Sequence, residues 1–127
     1  MELFRTADGR VLEYVEVGDP GGQPVVLLPG TPSTAGAAAL FDDAARRQGV
    51  RLLGVSRPGY GASTTTAPGL LSVARDVGEL TSGLGVEEFA VLGVSGGGPF
   101  ALAAGAALPA RVHRVLVAAG PRPQCEV

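Results

Sequence analysis

The apolar positions of this chain fall into short runs and one helical stripe, and their order predicts a sheet flanked by helices. Leu3-Phe4-Arg5, then Asp8-Gly9, then residues 11–17 reads as a β-hairpin closed by an Asp-Gly turn. Gly18-Asp19-Pro20-Gly21-Gly22 breaks that pattern. Val25-Val26-Leu27-Leu28 follows as an unbroken apolar run, the form taken by parallel strands covered on both faces. Residues 37–48 are alanine-rich and read as a helix ending at Gly49, and residues 50–55 make a second buried-type strand. Val73, Val77, Leu80 and Leu84 recur at helical spacing, with Arg75, Asp76 and Glu79 off the stripe as a solvated face. Residues 89–94 predict a third buried strand, residues 100–108 a small-residue helix, and residues 112–118 a fourth strand.

A hairpin followed by strand–helix alternation implies a mixed, mostly parallel α/β sheet with helices on both faces. Ligands bind such sheets beyond the carboxyl ends of the strands, so the loops after Leu28, Val55 and Val94 are where chemistry is expected. Repeats, low-complexity tracts and internal linkers are not visible, and residues 1–127 read as a single domain.

Composition narrows the function classes. Hydrophobic residues make up 46% and charged residues 17%, which is globular material. A formal net charge of -2, with scattered basic residues, offers no field for nucleic acid or anionic lipid. All ten basic residues are arginine, so a Walker-type phosphate loop and a Schiff-base mechanism, which need lysine, are excluded. The one cysteine, Cys125, builds neither a disulfide framework nor a zinc site, and no metal or cofactor is expected. The first residues lack the basic and apolar run of a signal peptide. Residues 89–110 hold no charge over 22 positions, enough to span a bilayer, yet Gly93, the run Gly96-Gly97-Gly98-Pro99 and Pro109 argue for a strand, a turn and a buried helix. A cytoplasmic location without membrane contact is the expectation.

Gly93-Val94-Ser95-Gly96-Gly97 fits G-x-S-x-G, placed after an apolar strand and before a helix. Nucleophilic catalysis needs that context: the serine sits on a strained turn with its oxygen exposed, and flanking glycines admit close neighbours. In a chain with 20 glycines the pattern alone is weak, at roughly 0.15 chance matches. A glycine-rich turn with an incidental serine is the plain alternative. Gly96-Gly97-Gly98-Pro99-Phe100-Ala101 also satisfies a dinucleotide fingerprint, but the next strand ends in Val117-Ala118-Ala119-Gly120, without the acid that would hold a ribose.

Pro29-Gly30-Thr31-Pro32, then the loop from Arg57 to Ser63 (RPGYGAS), then GVSGG stand in order at strand ends, and the set resembles the α/β-hydrolase family, in particular a bacterial branch with GVSGGGP at the nucleophile. The resemblance runs from about Leu3 to Gly120. It implies Ser95 as the nucleophile, the Gly96 and Thr31 N–H groups as an oxyanion hole, and Gly93 and Gly97 as the glycines that permit the turn. Two departures show: Pro29 stands where many members carry histidine, and Ser56 where the loop usually begins with aspartate.

In the family order Ser…Asp/Glu…His, the acid and histidine come later, with further strands and a lid. These 127 residues therefore resemble an N-terminal portion of the fold, without an identifiable triad acid or base. His113 opens its strand while Ser95 closes the neighbouring one, an offset worth roughly 17 Å against the ~3 Å a base needs. Glu126 falls in the tail after the last strand. The expectation is a serine hydrolase for an ester or similar acyl substrate, inactive alone or completed by another segment. A non-catalytic binding module on the same fold is the alternative. The last strand would be an unpaired edge, which predicts self-association or a complementing C-terminal segment.

Overall fold

The computed structural model describes residues 2–30, 33–65 and 69–118. Six strands form one sheet: β1 (Glu2–Arg5), β2 (Val11–Gly18), β3 (Gln23–Leu28), β4 (Val50–Val55), β5 (Phe89–Val94) and β6 (Val112–Ala118), in the spatial order β1-β2-β4-β3-β5-β6. β1 and β2 pair antiparallel as the expected hairpin, and β2 pairs antiparallel with β4. The β4–β3, β3–β5 and β5–β6 pairs are parallel.

Three helices pack on this sheet: α1 (Asp42–Arg47), α2 (Leu70–Gly83) and α3 (Gly98–Ala107). Val26 and Leu28 point to one face and Leu27 to the other, and all three are fully buried, as a two-sided parallel strand requires. On the first face the α2 stripe of Val73, Val77 and Leu80 meets Leu12, Leu53, Phe89 and Val91, with Ala101 and Ala104 of α3 beside them. On the second face Ala38 and Ala45 cover Leu27 and Leu52.

Two local differences from the sequence reading have physical causes. The alanine-rich stretch is a 3-10 turn over Ala35–Phe41 that passes into the short α1, rather than one helix. The α2 stripe is as expected, but Asp76 does not face water. It is 2% exposed and holds Arg10 of the hairpin turn in a two-pronged ion pair at 2.6 and 3.0 Å. Glu79 accepts the Ala7 N–H at 2.8 Å. The hairpin folds down onto α2 and supplies the partners that water would otherwise provide.

Topology locates the chemistry. The chain leaves β3 for β4 on one side, then returns to β5 on the other. That reversal opens a crevice at the carboxyl ends of β3 and β5. β6 lies at the sheet's edge, with Leu116 and Val117 each 45% exposed.

Candidate functional site

β5 ends at Val94 with extended backbone (φ -110, ψ 127), and the next residue, Ser95, turns to φ +52. Among the described residues it is the one non-glycine with positive φ. L-residues avoid that region because Cβ crowds the following carbonyl, at a cost of about 1–2 kcal/mol. The chain spends this strain at one place, and the result is a serine whose side chain is exposed to solvent. A 3-10 turn, Ser95–Gly97, then leads straight into α3, with Pro99 in its first turn, where a missing N–H does no harm.

Close packing explains why glycines flank the serine. A Cβ on Gly93 would lie 2.6 Å from the Gly97 carbonyl oxygen and 2.8 Å from the Ala101 Cβ. A Cβ on Gly97 would lie 2.0 Å from the Leu28 carbonyl oxygen and 2.9 Å from that of Pro29. Real Cβ atoms do not approach backbone so closely, so both positions need hydrogen side chains for the turn to sit against the end of β3. Gly96, half-buried between them, lies in the turn that leads into the N-terminus of α3, where amide dipoles favour negative charge.

Gly30, which sequence reasoning does not single out, lies against the serine. A Cβ there would meet the Ser95 Cβ at 3.1 Å and its Oγ at 3.7 Å. Its signal was present in the Pro-Gly pair, which reads equally as an ordinary turn. Thr31, the second oxyanion donor implied by the resemblance, lies outside the described residues, as do Cys125 and Glu126.

Arg57, in the loop after β4, reaches α3. The Arg57 guanidinium, 7% exposed, stacks between the rings of Tyr60 at 5.0 Å and Phe100 of α3 at 4.4 Å. Burial lowers its pKa from the ordinary arginine value. Beneath it, Glu13, Ser56 and Ser63 are buried and hydrogen-bonded to one another.

His113 is not brought to Ser95. The register pairs Val94 with Ala118 and Phe89 with Val112, so His113 lies at the amino end of β5, exposed. Clefts lined by Ser82, Glu87 and Arg111, and by Glu16, Gly18 and Asp42, do not include Ser95. Among the described residues no cluster of three or more His, Cys, Asp or Glu could hold a metal ion. The uncharged stretch 89–110 is divided between β5, the turn and α3, and no described helix is long and apolar enough to cross a membrane.

Comparison with known proteins adds the lineage. A family model described as alpha/beta hydrolase fold matches residues 23–125. No curated protein matches the sequence. Among solved structures, a hydrolase from Pseudomonas aeruginosa PA01 superposes with a TM-score of 0.81 at 27% identity, over 98% of this chain and 49% of that one. An esterase from Exiguobacterium antarcticum superposes with a TM-score of 0.74 at 28% identity, over 93% of this chain and 44% of the esterase. A hypothetical protein from Pseudomonas aeruginosa PAO1 is 30% identical with a TM-score of 0.77, over 97% and 45% of the two chains. This chain thus spans less than half the length of each of these three structures.

Proposed function

Because this chain belongs to the α/β-hydrolase fold family, we propose that Ser95 is the nucleophile of a serine hydrolase that cleaves an ester or similar acyl bond. The observation that carries the reading is the left-handed, solvent-exposed serine at the junction of β5 and α3. In this reaction the Ser95 oxygen attacks the acyl carbon and loses its proton to a base. The Gly96 and Thr31 N–H groups receive the charge that develops on the carbonyl oxygen. Collapse expels the alcohol, protonated by the same base, and leaves an acyl-serine that water hydrolyses. Gly93 and Gly97 act by letting the turn form, and the substrate is a small acyl compound. Neither a cofactor nor a metal takes part in this scheme.

The base and its acid belong to no described residue near Ser95, so a complementing segment is part of the proposal. Removing triad members costs on the order of 10⁶ in turnover. Transition-state binding without them retains about 10³–10⁴ over water. The chain alone is therefore nearly inert. The exposed edge of β6 favours a second reading, a binding module of the same fold that self-associates or pairs with another segment.

Hydrolysis of short-chain p-nitrophenyl esters separates the two. It is measured for the 127 residues alone and joined to a segment that supplies the rest of the domain. Turnover only in the joined form, abolished by Ser95→Ala, supports the hydrolase. Full turnover in Ser95→Ala, or none in the joined form, rejects it.

A further inference from the structure

Among the described residues, two buried carboxyl groups play no part in the proposed reaction: that of Asp76, paired with Arg10, and that of Glu13. Glu13, on β2, is 5% exposed, and both of its carboxyl oxygens accept hydrogen bonds. The Ser56 hydroxyl donates to Oε1 at 2.8 Å and the Ala62 N–H donates to Oε2 at 3.0 Å. Ser56 relays the contact, because its Oγ also accepts the Ala35 N–H at 2.7 Å. Ser63 closes the circuit: its hydroxyl donates to the Ser56 carbonyl at 2.6 Å and accepts the Glu13 N–H at 2.9 Å. The Ser56 N–H donates to the Glu13 carbonyl at 2.9 Å. Every described buried side-chain polar atom has a partner.

A buried carboxyl group is an expensive way to fill space, and apolar side chains of the same volume do so at lower cost. What a fully satisfied network adds is one specified geometry. Its ends show where that geometry is delivered. Ala35 opens the 3-10 turn on the β4 side of the β3 exit, and Gly30, on the β3 side, packs on Ser95. Ala62 is in the loop whose Arg57 stacks on Phe100, five residues along the chain from Ser95. A single side chain from β2 thus holds Ala62 directly and Ala35 through the Ser56 hydroxyl. Gly61 is pressed against it, since a Cβ there would lie 2.2 Å from Glu13 Oε1.

We infer that Glu13 is a positioning residue, whose buried carboxyl group holds Ala35 and Ala62 in the arrangement that presents Ser95 to substrate. The kinetic part of the test rests on the proposed role of Ser95, whereas the structural part does not.

Amide hydrogen exchange at Ala35 and Ala62 is read against the core amides of Leu53 and Val91 in Glu13→Ala, Ser56→Asp and the double variant. Glu13→Ala should speed exchange at Ala35 and Ala62 about tenfold or more beyond any change in the core. Ser56→Asp should do the same by forcing two acidic groups into contact. The double variant moves one carboxyl group by about a side-chain length and should recover most of the protection. If Glu13→Ala does not fold, Glu13→Gln serves in its place. Its amide nitrogen cannot accept, so either the Ala62 N–H or the Ser56 hydroxyl that holds the Ala35 N–H loses its acceptor. In the joined enzyme, kcat per folded molecule should fall about tenfold in Glu13→Ala and return in the double variant. Exchange at Ala35 and Ala62 that only follows the core, or a double variant worse than both single ones, overturns the inference. Absence of ester turnover in the unmutated joined enzyme would instead count against Ser95, leaving the exchange data to judge Glu13.

Discussion

Replacing Ser95 by glycine and by alanine measures the strain that the site stores. At φ +52 a Cβ costs about 1–2 kcal/mol, and glycine is free of that cost. Glycine also loosens the unfolded chain, by about 0.4–1 kcal/mol. The balance leaves Ser95→Gly more stable than the parent by about 0.5–1 kcal/mol. Ser95→Ala keeps the strain, so it should stay near the parent and fall about 1 kcal/mol below the glycine variant. At an ordinary helical position the order reverses, with alanine ahead by about 1 kcal/mol. Arg75, exposed in the middle of α2, provides that control through Arg75→Gly and Arg75→Ala. Urea unfolding followed by circular dichroism, with equal m-values across the set, reads all four differences. In thermal melts the Gly–Ala gap at position 95 should be about 4 °C, opposite in sign to the gap at position 75. Alanine equal to or better than glycine at position 95 would refute the strained conformation.

Other predictions follow from contacts at and around the site. Gly97→Ala drives a methyl group into the Leu28 and Pro29 carbonyls, which are backbone and cannot swing away, so it should cost about 3 kcal/mol or more in chemical denaturation. A loss below about 1 kcal/mol would mean that the turn does not sit against β3. Asp76→Ala leaves Arg10 without its buried partner and should cost about 2–3 kcal/mol, whereas a surface acid would cost nearly nothing. The Thr6 hydroxyl, then Arg10, holds the Asp8 carboxyl down to about 2, from an ordinary 3.8. A group with a depressed folded pKa contributes stability above its unfolded value and loses it as pH falls, here between about 4 and about 2. A carboxyl-detected NMR titration should place the Asp8 midpoint near 2 and return it toward 3.8 in Thr6→Val; a midpoint near 3.8 in the parent contradicts the assignment.

Much of the fold was legible because buried strands announce themselves locally. The strands Phe89–Val94 and Val112–Ala118 match their apolar runs, and the turn at Ser95 is legible from the strand and helix on either side of it. What escaped was held by distant partners. Asp76 sits off the apolar stripe, where polar residues normally meet water, and only the hairpin, 66 residues earlier, makes it a buried ion pair. Glu13, Ser56 and Ser63 are likewise joined across 43 and 50 positions, so no local window contains the network. The 3-10 turn at Ala35–Phe41 is a third case, since alanine-rich composition favours helix without choosing its pitch.

The most direct measurement is the site of covalent capture by a fluorophosphonate, which reacts with a serine only where attack and oxyanion stabilisation are both provided. The joined polypeptide is treated with the probe, digested and mapped by mass spectrometry. A single adduct on Ser95, lost in Ser95→Ala and far weaker in the 127 residues alone, is the predicted result. An adduct on a different serine, or an unmodified Ser95 in a polypeptide that turns over esters, would contradict it.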